Sequence, residues 1–286
     1  LSDRQQIVNI DKSFSDKLQI TCAVPQGSVL GHLLFLIYMK DLPNVSKLAK
    51  FVIFADDTNI VYSDSSIVNL QVLANNDLQN INNWFEVNKL SLNIAKTKFI
   101  VFDKKEKLRL HSLENLNVQL NNINIERVNE TKFLGVILQD DLTWTSHIAE
   151  KCKKISQISA ILTRLKHDLP KQTLKTIYNA LIEPHLTYGI TAWANLPNSS
   201  IKRLQLIQKR TIRTISKGKY NCHTDPLFKS LKILKIVDCY QLKCSQLYHK
   251  KLKNVGLKII YVFFKKIGVQ TKNDYNRVII TQPQYL

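Results

Sequence analysis

Adjacent carboxylates are the first candidates for chemistry in this chain. In "KFVIFADDTNI" (residues 50–60) a run of four apolar residues passes through Ala55 into Asp56 and Asp57, then returns to an extended-looking "TNIVY". Carboxylate oxygens suit hard divalent cations, and two such ions held roughly 3.5–4 Å apart can clamp a reacting phosphate from both sides. Inside a straight strand neighbouring side chains point to opposite faces, so two adjacent aspartates serve one site only where the chain turns. The sequence therefore predicts two strands meeting at a hairpin tip, with Asp56 a metal ligand and Asp57 its support. Ala55 is small enough to let substrate approach. Taken alone, an Asp-Asp pair is more often an ordinary turn or cap than a metal site.

The second candidate is a basic surface. Lysine and arginine number 41 against 22 aspartates and glutamates, a net charge of +19. Residues 1–150 hold 15 basic and 17 acidic side chains, whereas residues 151–286 hold 26 and 5. A half so charged suits a phosphate backbone. Within it Lys202, Arg203, Lys209, Arg210 and Arg213 fall on one predicted helix, where Arg203, Arg210 and Arg213 are expected near one face. Lysine kept for solubility is the alternative. Five irregularly spaced cysteines with no CxxC pair argue against a disulfide framework or a zinc module and for a reducing, intracellular setting. The longest apolar run, "VLGHLLFLIYM", is too short to span a bilayer, so no membrane is expected.

These residues must be positioned by two different textures. Residues 4–22 read as a hairpin around "DKSFSDK". "PQGS" turns into a leucine-rich helix from Val29 to about Lys40, with Ser28 as its N-cap and burial expected from its composition. Leu70, Ala74, Leu78, Ile81 and Phe85 recur at helical spacing between Ser66 and Asn88. "KFIVF" (98–102), "LNVQL" (116–120) and "KFLGVIL" (132–138) are strand candidates. From Trp144 onward helices are expected over 144–167, 171–192, 199–216 and 226–250. The fold class is therefore α+β, in three parts: 1–143 mixed, 144–240 helical and basic, and 241–286 a basic tail of unknown role.

The ordered set "CAVPQGSVLGHLLFLIYMKDLP", "FADDTNI", "KLSLNIAKTKFIVF" and "TKFLGVILQDDLTWTSHI" resembles the reverse transcriptases of non-LTR, jockey-like retrotransposons. "IYNALIEPHLTYGITAW" and "LIQKRTIRTI" resemble the thumb region that follows such domains. The resemblance implies a partial right-hand palm, an antiparallel sheet with packed helices, followed by an all-helical thumb. It implies an RNA-directed DNA polymerase acting on an RNA template, a DNA primer and deoxynucleotide triphosphates, with Mg2+ (or Mn2+) held by Asp56 and Asp57, and a nuclear location. Pro25, Gln26, Gly27 and Ser28, with Phe54 and Ala55, match positions lying against nucleotide and template. Lys96 matches a lysine near the triphosphate that can protonate departing pyrophosphate. Phe133, Leu134 and Gly135 match the hairpin that cradles the primer end.

Ala23 and His32 depart from the family's usual glycine and proline. The larger departure concerns a third carboxylate, which the family supplies from a strand well upstream of "PQGS". Only 24 residues precede Pro25 here, and Asp3, Asp11 and Asp16 fall in the predicted hairpin, Asp11 being the least unsuitable substitute. The first residue is Leu1 and the sole methionine Met39, so a fragment lacking its upstream fingers and palm segment is expected. Such a chain is expected to be inactive alone. A catalytically dead remnant that only binds nucleic acid is the competing class.

Overall fold

The computed structural model describes residues 4–20, 27–102, 116–194, 198–252 and 276–283. Arg4–Gln6 (β1) pairs with Leu18–Ile20 (β4), and Asn9–Ile10 (β2) with Ser13–Phe14 (β3) closes a tighter hairpin between them, as expected. Asp11 and Lys12 form its turn in left-handed backbone, at φ 48° and 70°. This hairpin is separate from the main sheet, so Asp11 is built into a turn of its own.

Val29–Tyr38 (α1) begins after Ser28, whose backbone is extended but whose hydroxyl makes no capping bond. The expectation of burial is corrected. No residue of α1 is buried, and Val29 is 92% exposed. Leucine content shows that a helix needs cover, but it does not show which surface provides it.

Lys50–Phe54 (β5) and Asp57–Asp64 (β6) form an antiparallel hairpin, with Phe54 opposite Asp57. Ile67–Val87 (α2) follows, its start held by the Asn69 N–H donating to the Ser66 hydroxyl. All five residues at the predicted spacing are buried. The Tyr62 hydroxyl donates to Asp77 at 2.9 Å and ties this helix to β6. Lys98–Phe102 (β7) is a strand as predicted, but "LNVQL" supplies only Gln119–Leu120 (β8), paired with Ile123–Asn124 (β9). Glu126–Arg127 (β10) runs parallel to β7, and an ion pair joins Lys98 to Glu126 at 3.1 Å. The segment "KFLGVIL" is not one strand but the hairpin that the resemblance implied, Glu130–Phe133 (β11) and Val136–Gln139 (β12), turning at Leu134 and Gly135. Their φ values of 44° and 78° belong to the tight turn that matches strand twist.

The helical half comprises Thr145–Leu165 (α3), Lys171–Leu181 (α4), Glu183–Thr187 (α5), Ile190–Trp193 (α6), Asn198–Ile215 (α7), Asp225–Leu231 (α8) and Ile236–Leu252 (α9). The single helix expected over 171–192 is three. Pro184 cannot donate inside a helix and opens α5, and Gly189 takes φ 62° before α6. The helix expected over 226–250 breaks at Lys232, which adopts φ 52°.

A strand of the far C-terminal part, Asn276–Pro283 (β13), completes the main sheet, whose order is β10-β7-β13-β6-β5. Alternation gives this sheet two buried faces. Ile60, Tyr62, Phe99, Val101 and Ile280 pack with α2, while Val61, Ile100 and Phe102 join Phe133, Leu138 and the helices around Trp193. The sheet is thus the partition between two cores, and its ends are free to carry chemistry.

Candidate active site

Ala55 and Asp56 are the two residues that link β5 to β6, and Ala55 takes φ 50° to close the turn. Phe54, Ala55 and Asp56 are exposed, and Asp57 is half-buried as the first residue of β6. The two carboxylates therefore stand together at the end of the sheet. Burial first, and then the negative charge of Asp56, raise the pKa of Asp57. A divalent cation between the two groups relieves that repulsion, and protonation at lower pH competes with it. Among the described residues no group of three or more His, Cys, Asp or Glu side chains gathers to hold a metal. The pair fits one hard cation that completes its shell from water and phosphate, and falls short of an all-protein cage.

Lys96 ends the short 3-10 turn Ile94–Lys96, whose start is capped by the Asn93 side chain accepting from the Lys96 N–H at 3.2 Å. The turn leads into β7, where Lys98 lies opposite Thr281, itself opposite Asn59. Lys96 is exposed and sits at the same end of the sheet as Asp57, two strands across. Gly27 has φ 80°, and a Cβ there would meet nothing within 4 Å, so backbone geometry rather than crowding calls for glycine. Ser28 is half-buried beside it. Pro25 and Gln26 lie outside the described residues.

The Leu134–Gly135 turn is held from the helical half. Tyr188 donates its hydroxyl to the Leu134 carbonyl at 2.6 Å, and its ring lies 3.3 Å from where a Gly135 Cβ would stand. Trp193 Nε1 donates in turn to the Tyr188 carbonyl at 2.9 Å. Phe133 is buried in the helical core, so the hairpin tip is a rigid projection of that core. Nothing in the local sequence names Tyr188 as its support, because the contact spans 54 residues.

On α7, Lys202, Arg203 and Arg210 are exposed and Lys209 is half-buried. Arg213 is half-buried and its Nε donates to the Cys222 carbonyl at 2.9 Å, so part of its donor set serves the fold. A further basic group escaped sequence reading. Lys151 is buried, with Lys154, Lys132 and Glu150 near it, and burial above all lowers its pKa. The His185 pKa is lowered too, by burial and then by Lys151 and Lys154. The Glu150–Lys154 pair at i,i+4 was the one signal visible in sequence.

With this geometry in place, the likeness to known proteins is specific. Residues 4–138 match the family "Reverse transcriptase (RNA-dependent DNA polymerase)". The chain is 26% identical over 262 residues to the probable RNA-directed DNA polymerase from transposon X-element of Drosophila melanogaster, covering 88% of this chain and 28% of that protein. It is equally 26% identical over 263 residues to the RNA-directed DNA polymerase from mobile element jockey of the same fly, covering 88% of this chain and 28% of the other. A Pol polyprotein from the type-1 element R1 of Bradysia coprophila is 24% identical over 194 residues, 66% of this chain and 19% of its own. No solved structure gives a significant match. The residues that carry the Asp56–Asp57 hairpin thus lie within the stretch that matches the reverse transcriptase family, and the relatives named are RNA-directed DNA polymerases of non-LTR transposons. A divalent metal is general to that family. The chain spans little more than a quarter of the length of these curated relatives.

Proposed function

We propose that this chain supplies palm and thumb to an RNA-directed DNA polymerase of a non-LTR retrotransposon. The palm is residues 1–143, the thumb 144–240, and the part from 241 onward returns to the palm sheet through β13. The observation that carries this reading is the Asp56–Asp57 pair where the two-residue turn Ala55–Asp56 enters the largely buried strand β6, inside the stretch that matches the family. Asp56 holds Mg2+, or Mn2+ in its place, and Asp57 supports it. In the reaction a primer 3′-hydroxyl attacks the α-phosphate of a deoxynucleotide triphosphate while the bond to pyrophosphate breaks. Lys96, at the same sheet end, donates a proton to the leaving pyrophosphate. Gln26, Gly27, Ser28 and Pro25, with Phe54 and Ala55, bound the nucleotide and template. The Phe133–Leu134–Gly135 turn, braced by Tyr188, positions the primer end. The nucleus is the compartment this reading implies. No helix among the described residues is long and apolar enough to cross a membrane.

Titration with manganese, with and without a deoxynucleotide triphosphate, tests the metal site. The nucleotide should tighten manganese binding about tenfold, because its phosphates complete a shell that two carboxylates leave open. Asp56→Asn should abolish that coupling, and an unchanged titration in the variant would reduce the hairpin tip to a turn.

The exposed cations of α7 carry the backbone-binding half of the proposal. Each phosphate neutralised contributes roughly −0.7 to −0.9 to the slope of log K against log salt. Replacing Arg203 and Arg210 together by alanine should flatten the slope for a primer–template duplex by about 1.5. Binding that ignores salt, or a double variant that binds as before, removes α7 from the interface.

A further inference from the structure

Helix α3 buries a cation that the packing of the fold does not account for. Lys151 is only 6% exposed, a place lysine rarely takes unless something compensates its charge. No hydrogen bond or ion pair does so among the described residues, and the adjacent Glu150 is engaged by Lys154. An apolar side chain of similar volume would be the more stable filling at such a position. A charge kept there at the expense of stability points to a ligand of opposite sign.

The surroundings add to the positive charge instead of relieving it. In the β11–β12 hairpin Lys132 stands opposite Ile137, and the Ile137 N–H donates to His147 Nδ1, one helical turn before Lys151. The hairpin is thereby fastened to α3 beside the buried lysine. From α5, His185 comes within electrostatic reach of Lys151 and Lys154. Burial above all lowers the Lys151 pKa, Glu150 opposing and Lys154 and Lys132 adding to it. Glu150 is the one carboxylate that acts on Lys151 or His185 among the described residues. Three lysines thus share one acid, which leaves two positive charges uncompensated. Burial grades from Lys151, through the half-buried His185 and Lys154, to the exposed Lys132. We propose that these four side chains form a site for a dianionic phosphate group, with Lys151 as its floor and Lys132 at its mouth. A phosphomonoester carries roughly −1.5 to −2 at neutral pH, which matches the surplus, whereas an internal phosphodiester carries only about −1. The ligand is thus free phosphate or the phosphorylated end of a nucleic-acid strand. The lysines donate to separate phosphate oxygens, and the His185 ring adds an N–H. The site asks nothing of Asp56 and Asp57, and it stands or falls apart from the polymerase reading.

Thermal unfolding of the full chain at neutral pH tests this with three additions: inorganic phosphate, an oligothymidylate with a 5′-phosphate, and the same strand with a 5′-hydroxyl. Inorganic phosphate at about tenfold its Kd should raise the Tm of the native chain by about 4 °C. Lys151→Met keeps the buried stem and removes the charge, so it should raise the Tm without any addition and abolish the phosphate response. Lys132→Ala changes an exposed side chain, so folding is spared, and it should weaken phosphate binding about fivefold. The 5′-phosphate should add to the stabilisation by the oligonucleotide in the native chain and not in Lys151→Met, which separates a strand end from backbone bound elsewhere. Stabilisation by inorganic phosphate with no effect of the 5′-phosphate would support the site and assign it to the free anion. An equal phosphate response in all three chains, or a Lys151→Met chain less stable than the native one, overturns the proposal.

Discussion

Purified residues 1–286 are expected to extend no primer, with a rate at least about a thousandfold below that of the same chain supplied with a carboxylate-bearing strand. The reason lies in the middle of the sheet. Asp56 and Asp57 supply two carboxylates, and the strand paired beside them ends in Thr281, Gln282 and Pro283, none of them an acid. An attacking hydroxyl without a positioned activating cation loses the electrostatic stabilisation that dominates phosphoryl transfer. Extension of an RNA-templated primer, with magnesium or manganese, checks this. Incorporation by the chain alone that Asp56→Asn eliminates would mean that the two carboxylates suffice. Supplying in trans the further carboxylate-bearing segment that the polymerase reading implies should restore extension, and only where Asp56 is intact.

How much of this was visible in the sequence depends on range. The Asp56–Asp57 tip was legible because four apolar residues, a turn and an acid pair are adjacent, and the hairpin formed where they predicted it. Helix α2 was legible because one buried stripe repeats at i, i+4 and i+3 within a single element. The reading failed where partners are remote. "NRVIITQP" has the apolar texture of a strand, but its pairing with residues 57–64 and 98–102 is a choice between distant segments that no local pattern encodes. Helix α1 is the converse, a local signal for burial that the described residues leave exposed. Pro184 was legible as punctuation within 171–192, whereas the break at Lys232 carries neither proline nor glycine and left no signal. Tyr188 and His147 went unnoticed for the same reason, since each acts on a hairpin far from it in sequence or on another element.

His147 leads to the second large effect, a loss of stability on mild acidification. Its ring is fully buried on α3, 5.5 Å from the Trp193 ring, and its Nδ1 accepts the Ile137 N–H at 3.2 Å. That acceptor role requires a neutral imidazole with its proton on Nε2. Burial above all, and then the charge of Lys151, lower its pKa from 6.5 to about 4, against the opposing pull of Glu150. The sign follows from proton counts. Between those values the unfolded chain binds a proton that the folded chain refuses, so stability is full above pH 6.5 and falls as pH drops toward 4. The whole descent amounts to about 3 kcal/mol, a large share of what holds a domain together. Asp57 and Asp140, whose pKa values are raised by burial, act in the opposite direction as pH falls, so the comparison must be between variants. His147→Phe keeps a ring against Trp193 but leaves the Ile137 N–H without its acceptor, which lowers stability at pH 7 by about 1–3 kcal/mol. Urea midpoints measured from pH 7.5 to 4.5 should drop steeply for the native chain and much less for His147→Phe, so that the two curves converge in acid. Parallel curves would show that the proton is taken up elsewhere, and that the contact between α3 and the β11–β12 hairpin is insensitive to pH.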